Sequence, residues 1–242
     1  MKFLILSPPR SGSSLLQELI NSHPRIHCEG ELLTADWGYL SSEWLAYFLS
    51  KYPFPYFEYR RLRAPREAHY GFKYMSFHLM VNPNKVTRCL KNWGWKVILL
   101  SRKDQLAQAV SNLLALRCGV YRRRLNDAEG NLGQVQLDVG AVAQELRYFE
   151  KSAKMLEDIC ETLDPFRIVY EQDLRESKDW APSLARLFEY LDVPAHPVST
   201  TLIKSSERSF REQIVDYDAL LEYLARVGFE ETVAIHQIYD YQ

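Results

Sequence analysis

The stretch Ser7-Pro8-Pro9-Arg10-Ser11-Gly12-Ser13-Ser14 joins a short apolar run to an amphipathic one. The run before it, Phe3-Leu4-Ile5-Leu6, is too short for anything but a buried strand. After it, apolar residues recur at helical spacing, so the pattern predicts a strand, a loop and a helix that begins near Ser13. Small residues let backbone N–H groups converge on an oxyanion, and the helix dipole directs its positive end at the same point. We therefore predict an anion-binding loop.

This loop differs from the phosphate loop of nucleotide triphosphatases. Their pattern ends in Gly-Lys-Ser/Thr, in which the Lys and a metal-bound hydroxyl hold the terminal phosphates. Here Arg10 precedes Gly12, and Ser13 and Ser14 offer hydroxyls without an obvious acidic partner for Mg²⁺. The alternative is an ordinary helix start capped by a serine. We favour anion binding, with no metal site.

The bulk properties are ordinary for a globular protein. A chain of 242 residues can bury a full core, and we predict a single domain over residues 1–242. A net charge of -1 argues against nucleic acid as a partner. The four cysteines are far apart and lack the spacing of metal ligands, so neither a zinc site nor a disulfide framework is predicted. The N-terminal apolar run is too short for a signal peptide, and no stretch approaches a membrane span, so we predict a cytoplasmic protein.

Strand and helix patterns alternate along the chain. After the first strand and helix, we predict strands at residues 26–33, 70–75, 96–101 and 166–170, and helices at 41–51, from 104 onwards, and at 142–163, 182–191, 216–227 and 230–239. Residues 53–66 and 119–136 are predicted to be surface excursions. This alternation indicates an α/β fold, a mostly parallel sheet with helices on both faces, whose ligands bind beyond the carboxyl ends of the strands.

A second anion-binding segment follows the predicted strand 96–101. Arg102 comes directly after that strand, and Asp104 is the predicted N-cap of the next helix. Ser111 lies nine positions beyond Arg102, about two and a half helical turns, so that one phosphate can meet both side chains. The alternative for Ser111 is a small hydroxyl that faces a neighbouring helix or its own turn.

These two segments resemble motifs of a known family. Pro9-Arg10-Ser11-Gly12-Ser13-Ser14-Leu15-Leu16 resembles the 5′-phosphosulfate loop of sulfotransferases that use 3′-phosphoadenosine 5′-phosphosulfate (PAPS). Leu100-Ser101-Arg102-Lys103-Asp104, with Gln108-Ala109-Val110-Ser111, is similar to their 3′-phosphate segment. Three further segments, at residues 30–33, 70–75 and 169–174, resemble the bacterial nodulation-factor and trehalose sulfotransferases. The resemblance implies the P-loop-like sulfotransferase fold, with PAPS as donor and adenosine 3′,5′-bisphosphate (PAP) as product.

The resemblance also implies roles for individual residues. Arg10 stands where cytosolic members carry a Lys, in contact with the bridging and sulfuryl oxygens as the sulfonate leaves. Arg102 and Ser111 hold the 3′-phosphate, although the cytosolic animal enzymes space this pair one residue closer. Lys204 lies where these families place a loop over the 3′-phosphate. The residues implied to bind the cofactor are Arg10, Ser11, Gly12, Ser13, Ser14, Leu15, Arg102, Ser111 and Lys204.

The acceptor hydroxyl needs a general base, and the candidates are Glu31, Glu29 and His27. We favour Glu31, because it is the glutamate of the Gly-Glu-Leu-Leu signature and a partly desolvated carboxylate suits proton abstraction. In a regular extended segment Glu29 and Glu31 point the same way, which leaves both open. The alternative is that both are solvent-facing acids in a loop.

Other charged residues have two interpretations each. Lys73 lies in an otherwise apolar strand, where it either faces the site or sits at the sheet edge with its ammonium in water. His78 either reaches an acceptor sugar or is an ordinary surface residue. The arginines between residues 60 and 66 are interleaved with aromatic residues. They form a surface that binds a sugar or an anionic acceptor, or else they lie in a solvated loop. The same two interpretations apply to the arginines at 122–124.

We predict an enzyme that moves a sulfonate from PAPS to a hydroxyl of a carbohydrate or other small molecule, with Glu31 as base and Arg10 as the cation at the transition state. One alternative is a small-molecule kinase, which needs Mg²⁺ and ATP. Another is a non-catalytic module that binds a nucleotide or an anionic glycan. The acceptor and the oligomeric state, a homodimer included, are left open.

Overall fold

The computed structural model describes residues 1–33, 53–65, 69–79, 83–119, 121, 124–125, 134–203 and 209–240. The predicted helix at 41–51 lies outside these residues, as do Arg66, Arg122, Arg123 and Lys204. In the described ranges, strands alternate with helices as predicted.

Five strands form one sheet. They are β1 (Lys2–Ser7), β2 (Ile26–Glu31), β3 (His69–Met75), β4 (Lys96–Ser101) and β5 (Phe166–Val169), in the order β2-β3-β1-β4-β5. Every pairing between them is parallel, which confirms the predicted parallel sheet. Because β1 and β4 are parallel neighbours, their carboxyl ends lie at the same edge of the sheet.

The helices follow the strands in chain order. They are α1 (Ser13–Asn21), α2 (Pro53–Arg63), α3 (Ser76–Leu79), α4 (Pro83–Asn92), α5 (Gln105–Cys118), α6 (Val139–Cys160), α7 (Ser177–Tyr190), α8 (Phe210–Gln213), α9 (Tyr217–Leu224) and α10 (Glu230–Asp240). A π-helical turn, Tyr170–Leu174, follows β5. A kink at Val227 and Gly228 separates α9 from α10.

Two helix predictions were wrong. Residues 53–63 are not a surface excursion but helix α2, with Phe54 and Phe57 buried. Pro53 and Pro55, which led to the prediction of a surface excursion, lie in the first turn of this helix. The N–H groups of a first turn have no partner within the helix, so proline removes no hydrogen bond there. Helix α7 begins at Ser177 rather than at Pro182, which lies inside it. A proline so close to a helix start removes few bonds, so the helix continues through it.

The sheet has an apolar layer on each face. One face carries Leu4, Leu6 and Phe72, which pack with the buried residues of α2 and α4. The other carries Phe3, Ile5 and others, which pack with α1 and α7. Both faces are therefore covered, as a parallel sheet requires. Across β1 and β3 the ring of Phe3 lies so close to Gly71 that a Cβ there would be 2.2 Å from its Cζ.

The chain divides into two compact units. Unit 1 comprises Met1–Ser101 and Ser152–Thr200, and unit 2 comprises Arg102–Lys151 and Thr201–Gln242. Unit 1 contains the sheet, and unit 2 has an apolar core of its own, built from α5, α6, α9 and α10. The single domain over residues 1–242 stays a prediction. Among the helices that the structure describes, none has the length and apolar character needed to cross a membrane.

Candidate active site

The predicted anion-binding loop connects β1 with α1. Arg10 (φ 59) and Gly12 (φ 90) both have left-handed backbone conformations. The buried hydroxyl of Ser11 donates to the Pro8 carbonyl at 2.8 Å, so this side chain holds the turn together. The N-cap of α1 is Gly12, which has no side chain to cap the helix. The serine cap considered as the alternative is therefore wrong. Anion binding by the first-turn N–H groups stays a prediction.

Tyr170 supports the loop from the π-helical turn after β5. A Cβ on Gly12 would lie 2.6 Å from Tyr170 Cδ2, so only glycine allows this contact. Asp173, in the same turn, accepts hydrogen bonds from the Val169 N–H at 2.8 Å and from the Ser183 hydroxyl at 2.7 Å. Asp173 therefore fixes the turn that presents Tyr170 to the loop.

Helix α1 is tied to the strand that carries the acidic residues. The Asn21 side-chain amide donates to the Cys28 carbonyl at 2.8 Å, and its oxygen accepts from the Cys28 N–H at 2.7 Å. Gln17 donates to the same carbonyl at 3.1 Å. These three bonds hold the outer strand β2 against α1.

A bulge in β2 separates the two glutamates. Glu29 lies beside Phe72 of β3, but Glu31 lies beside Lys73, so Gly30 is an extra residue in the pairing. Because adjacent residues of β3 point to opposite faces of the sheet, Glu29 and Glu31 also face opposite sides. The expectation that they point the same way was therefore wrong, since it assumed a regular strand.

Lys73 extends to the start of α1. Its side chain is 0% exposed, and its ammonium lies 3.2 Å from Ser14 Oγ and 3.4 Å from Glu31 Oε1. Glu31 is 24% exposed, so this carboxylate is open to solvent on one side and pairs with a buried cation on the other. The interpretation of Lys73 as a sheet-edge residue was wrong, because β3 lies between β2 and β1. The signal in the sequence was a single cation in an apolar strand.

The other two base candidates lie apart from this cluster. Glu29 accepts a hydrogen bond from Arg60 of α2 at 2.7 Å and is only 14% exposed. His27 Nε2 lies 3.7 Å from Glu29 Oε1. Glu29 therefore ties α2 to β2. Of the arginine-rich surface, Arg61 pairs with Glu58 at 2.7 Å, so two of its cations have partners within the chain.

His78 is a half-buried neutral side chain. It follows β3 in the short helix α3, with its ring stacked on Tyr74 at 5.6 Å and against Phe77 at 4.3 Å. Burial lowers the pKa of His78 to about 4, although the charge of nearby Glu31 opposes this shift. His78 is therefore not an ordinary surface residue, and it carries no charge at neutral pH.

The second predicted segment, residues 102–111, lies in unit 2. Asp104 accepts a hydrogen bond from the Ala107 N–H at 2.9 Å, which confirms it as the N-cap of α5. Both of its carboxylate oxygens also lie 2.9 Å from His236 Nδ1 of α10. Burial acts to raise the pKa of Asp104, but the hydrogen bond and charge of His236, together with the Ala107 N–H and the charge of Arg102, outweigh it and hold this pKa below its ordinary value. Sequence reasoning missed His236, which is 132 positions away and follows no motif.

The roles of Ser111 and Lys204 stay predictions. Ser111 lies in α5 with its side chain half-buried. Arg124 donates to Thr201 Oγ1, and Leu202 forms a bridge with Arg124, so the residues just before Lys204 are anchored in unit 2. The described residues contain no group of three or more His, Cys, Asp or Glu side chains placed to hold a metal ion.

No family model matches this chain. A search of curated proteins finds Nodulation protein H of Rhizobium meliloti (strain 1021), which is 27% identical over 199 residues. The alignment covers 80% of this chain and 78% of that protein. The chain is thus a relative of a nodulation protein, in agreement with the branch that its motifs resemble.

Two solved structures share the fold. A sulfotransferase from Alicyclobacillus acidocaldarius superimposes with a TM-score of 0.54 at 16% identity, covering 100% of this chain and 96% of that one. A mouse sulfotransferase complexed with PAP superimposes with a TM-score of 0.51 at 14% identity, covering 100% and 89%. The chain has the sulfotransferase fold, and the resemblance predicted from the sequence is confirmed.

Proposed function

We propose that this chain is a sulfotransferase that moves a sulfonate from PAPS to a hydroxyl of a carbohydrate or other small molecule and releases PAP. The observation that carries the proposal is the cluster at the start of α1, where an anion-binding loop adjoins Lys73 and Glu31. The kinship with Nodulation protein H and the shared fold support the same class of enzyme.

The loop between β1 and α1 is assigned to the 5′-phosphosulfate. Sulfonate transfer resembles phosphoryl transfer, in which negative charge builds on the bridging oxygen in a loose, in-line transition state. Arg10 and the N–H groups of residues 11–15 are assigned as the donors to that charge, and such donors lower the barrier. Ser11 contributes through its N–H, because its hydroxyl already donates to Pro8. Ser14 contributes its hydroxyl next to the Lys73 ammonium.

Glu31 is assigned as the general base. Its carboxylate takes the proton of the acceptor hydroxyl while the acceptor oxygen forms a bond to sulfur and the bond from sulfur to the bridging oxygen breaks. The ammonium of Lys73 favours the ionised form of Glu31, which is the form that accepts a proton. Glu29 is less suited, because Arg60 already binds its carboxylate at 2.7 Å. His27 adjoins Glu29 rather than Lys73.

Arg102, Ser111 and Lys204 are assigned to the 3′-phosphate of PAPS. The mouse structure was solved with PAP, a nucleotide that carries phosphates at both positions. The capped start of α5 supports this assignment, because it fixes the backbone between Arg102 and Ser111. The acceptor class, a possible homodimer and a cytoplasmic location stay predictions.

The direct test is transfer of a labelled sulfonate from PAPS to a panel of sugars and other alcohols. We expect the wild-type chain to sulfate at least one acceptor, Glu31→Gln to lose this activity, and the matched control Glu29→Gln to keep it. Equal transfer by wild type and Glu31→Gln contradicts the assignment of the base. Transfer of a labelled phosphoryl group from ATP and Mg²⁺, with none from PAPS, contradicts the proposed function.

A further inference from the structure

Unit 2 contains a chain of four hydrogen-bonded polar side chains, of which Asp104, His236 and Tyr217 are buried and Asp240 is half-buried. The two Asp104 oxygens lie 2.9 Å from His236 Nδ1, and His236 Nε2 lies 2.6 Å from the Tyr217 hydroxyl. That hydroxyl in turn lies 2.9 Å from Asp240 Oδ2. His236 is 1% exposed and Asp104 6%. No motif identified in the sequence and no step of the proposed reaction accounts for this arrangement.

The hydrogen-bond donors and acceptors of these four side chains determine which of their atoms carry a proton. Burial, together with the hydrogen bond to Asp240, raises the pKa of Tyr217, so its hydroxyl keeps a single proton. An ionised carboxylate only accepts hydrogen bonds, so Tyr217 must donate to Asp240 and His236 Nε2 must donate to Tyr217. The other ring nitrogen faces two oxygens of Asp104 and must also donate. Only an imidazolium donates from both ring nitrogens. In either neutral tautomer one ring nitrogen is an acceptor, and it would then face another acceptor, either an Asp104 oxygen or the Tyr217 oxygen.

We propose that His236 is a buried imidazolium that acts as a positioning residue for the 3′-phosphate segment, by serving as the counter-ion of Asp104 at the start of α5. This inference rests on the proposed function, in which Arg102 and Ser111 bind that phosphate. It adds a residue to that site which no motif indicates.

The charges around Asp104 explain why the counter-ion matters. Besides His236, the cation that acts on Asp104 is Arg102, two residues before it. With His236 protonated, the carboxylate of Asp104 is neutralised from α10 while it still caps α5. Without that cation, Arg102 becomes the nearest partner of a buried carboxylate and is drawn away from the nucleotide. Replacing His236 therefore weakens binding at the 3′-phosphate specifically.

The other groups that face the chain do not replace this role. Arg211 lies 5.1 Å from the centroid of the Tyr217 ring and pairs with Asp218 at 2.6 Å. The ring of Phe210 lies 5.8 Å from that of His236 and carries no charge. Asp240 reaches His236 only through Tyr217. Within the described ranges, His236 is therefore a cation in direct contact with Asp104.

The test compares two adenosine nucleotides. PAP carries the 3′-phosphate and no sulfonate, whereas adenosine 5′-phosphosulfate carries the sulfonate and no 3′-phosphate. PAP and adenosine 5′-phosphosulfate, which lacks the 3′-phosphate, are titrated calorimetrically into wild type, His236→Gln and Val233→Ala. Val233 is also buried in α10 but lies outside the polar chain. We expect His236→Gln to raise the Kd of PAP by roughly tenfold and to leave that of adenosine 5′-phosphosulfate unchanged. We expect Val233→Ala to leave the ratio of the two constants as in wild type.

An unchanged ratio in His236→Gln overturns the inference and leaves the proposed function intact. A wild-type protein that binds both nucleotides equally overturns the 3′-phosphate assignment itself. A second measurement covers the case in which His236→Gln does not fold. In nuclear magnetic resonance spectra of the ¹⁵N-histidine-labelled wild-type protein at neutral pH, the ring of His236 must show two N–H protons. A single ring proton overturns the inference.

Discussion

The loop after β1 and the segment after β4 both follow neighbouring parallel strands, yet the two regions are stabilised differently. The loop is shaped by left-handed conformations at Arg10 and Gly12 and by the hydrogen bond from Ser11 to Pro8. Lys73 contacts both Ser14 and a carboxylate, Glu31, that is 24% exposed. The segment at α5 owes its position to Asp104 and His236, which are almost fully buried. The partly open region is assigned the reaction, and the closed region is assigned binding.

Because of this difference, mutations in the two regions should change different properties of the protein. A carboxylate that exchanges protons with an acceptor must be accessible, so substitutions near the loop should change kcat while the fold tolerates them. A buried ionic chain at a helix start is sensitive to the loss of either partner, so substitutions there should change stability and nucleotide affinity.

Asp104→Asn should lower the free energy of unfolding by about 3–5 kcal/mol at neutral pH, because it leaves a buried imidazolium without its anion. The pKa of Asp104 is lowered in the folded state, so its stabilising contribution is present above the unfolded pKa of about 3.9 and is lost as the pH falls through the folded value. Urea unfolding of both proteins along a pH series checks this. A deficit that persists undiminished in acid, where wild-type Asp104 is itself protonated, contradicts it.

Arg10→Ala should lower kcat about 10²–10³-fold, which is the usual effect of removing one hydrogen-bond donor to a developing negative charge. Arg10→Lys is the matched control and should retain most of the activity, because it keeps the positive charge. Steady-state kinetics with saturating PAPS measures both. Equal losses in the two variants would mean that the planar guanidinium group, rather than the positive charge alone, is what the reaction needs.

Lys73→Met should lower kcat by roughly 10–100-fold, the value of one hydrogen bond to a charged group. The free energy of unfolding should stay the same or rise, because a buried ammonium is replaced by an apolar side chain of similar length and Glu31 can be hydrated. Kinetics and urea unfolding on the same preparation separate the two effects. Loss of stability in parallel with activity would show that Lys73 serves the fold instead.

Ser111→Ala should raise the Kd of PAP by roughly tenfold, since it removes one hydroxyl from the 3′-phosphate. Binding of adenosine 5′-phosphosulfate should not change. Asn112→Ala is a control in the next position of α5, whose side chain donates to Glu145 at 3.1 Å instead. If Ser111→Ala and Asn112→Ala both weaken the binding of PAP and of adenosine 5′-phosphosulfate to the same extent, Ser111 is a helix-packing residue.

Local patterns were sufficient for most of the fold. The apolar run of β1, the residues of β4 and the cap at Asp104 each depend on neighbours in the sequence, and all three were correct. Helix α2 was missed because Pro53 and Pro55 interrupt the pattern, although proline is tolerated in a first turn. The bulge at Gly30 was missed because a period of two assumes uninterrupted pairing.

The partners of the site could not be predicted from local patterns. The contact between Lys73 and Ser14 spans 59 positions, and that between His236 and Asp104 spans 132. Nothing in the sequence near Lys73 says which helix its ammonium reaches, because the order of the strands decides that. Glu31 was the preferred base from its signature and its expected partial desolvation, and the proximity of Lys73 adds a second physical reason.

The central claim is that the chain binds an adenosine nucleotide phosphorylated at the 3′ position. Calorimetric titration of the wild-type protein with PAP, and separately with ATP in the presence of Mg²⁺, tests it most directly. We expect PAP to bind more tightly than ATP and to need no Mg²⁺. A preference for ATP, or binding of PAP only when Mg²⁺ is added, would contradict this account.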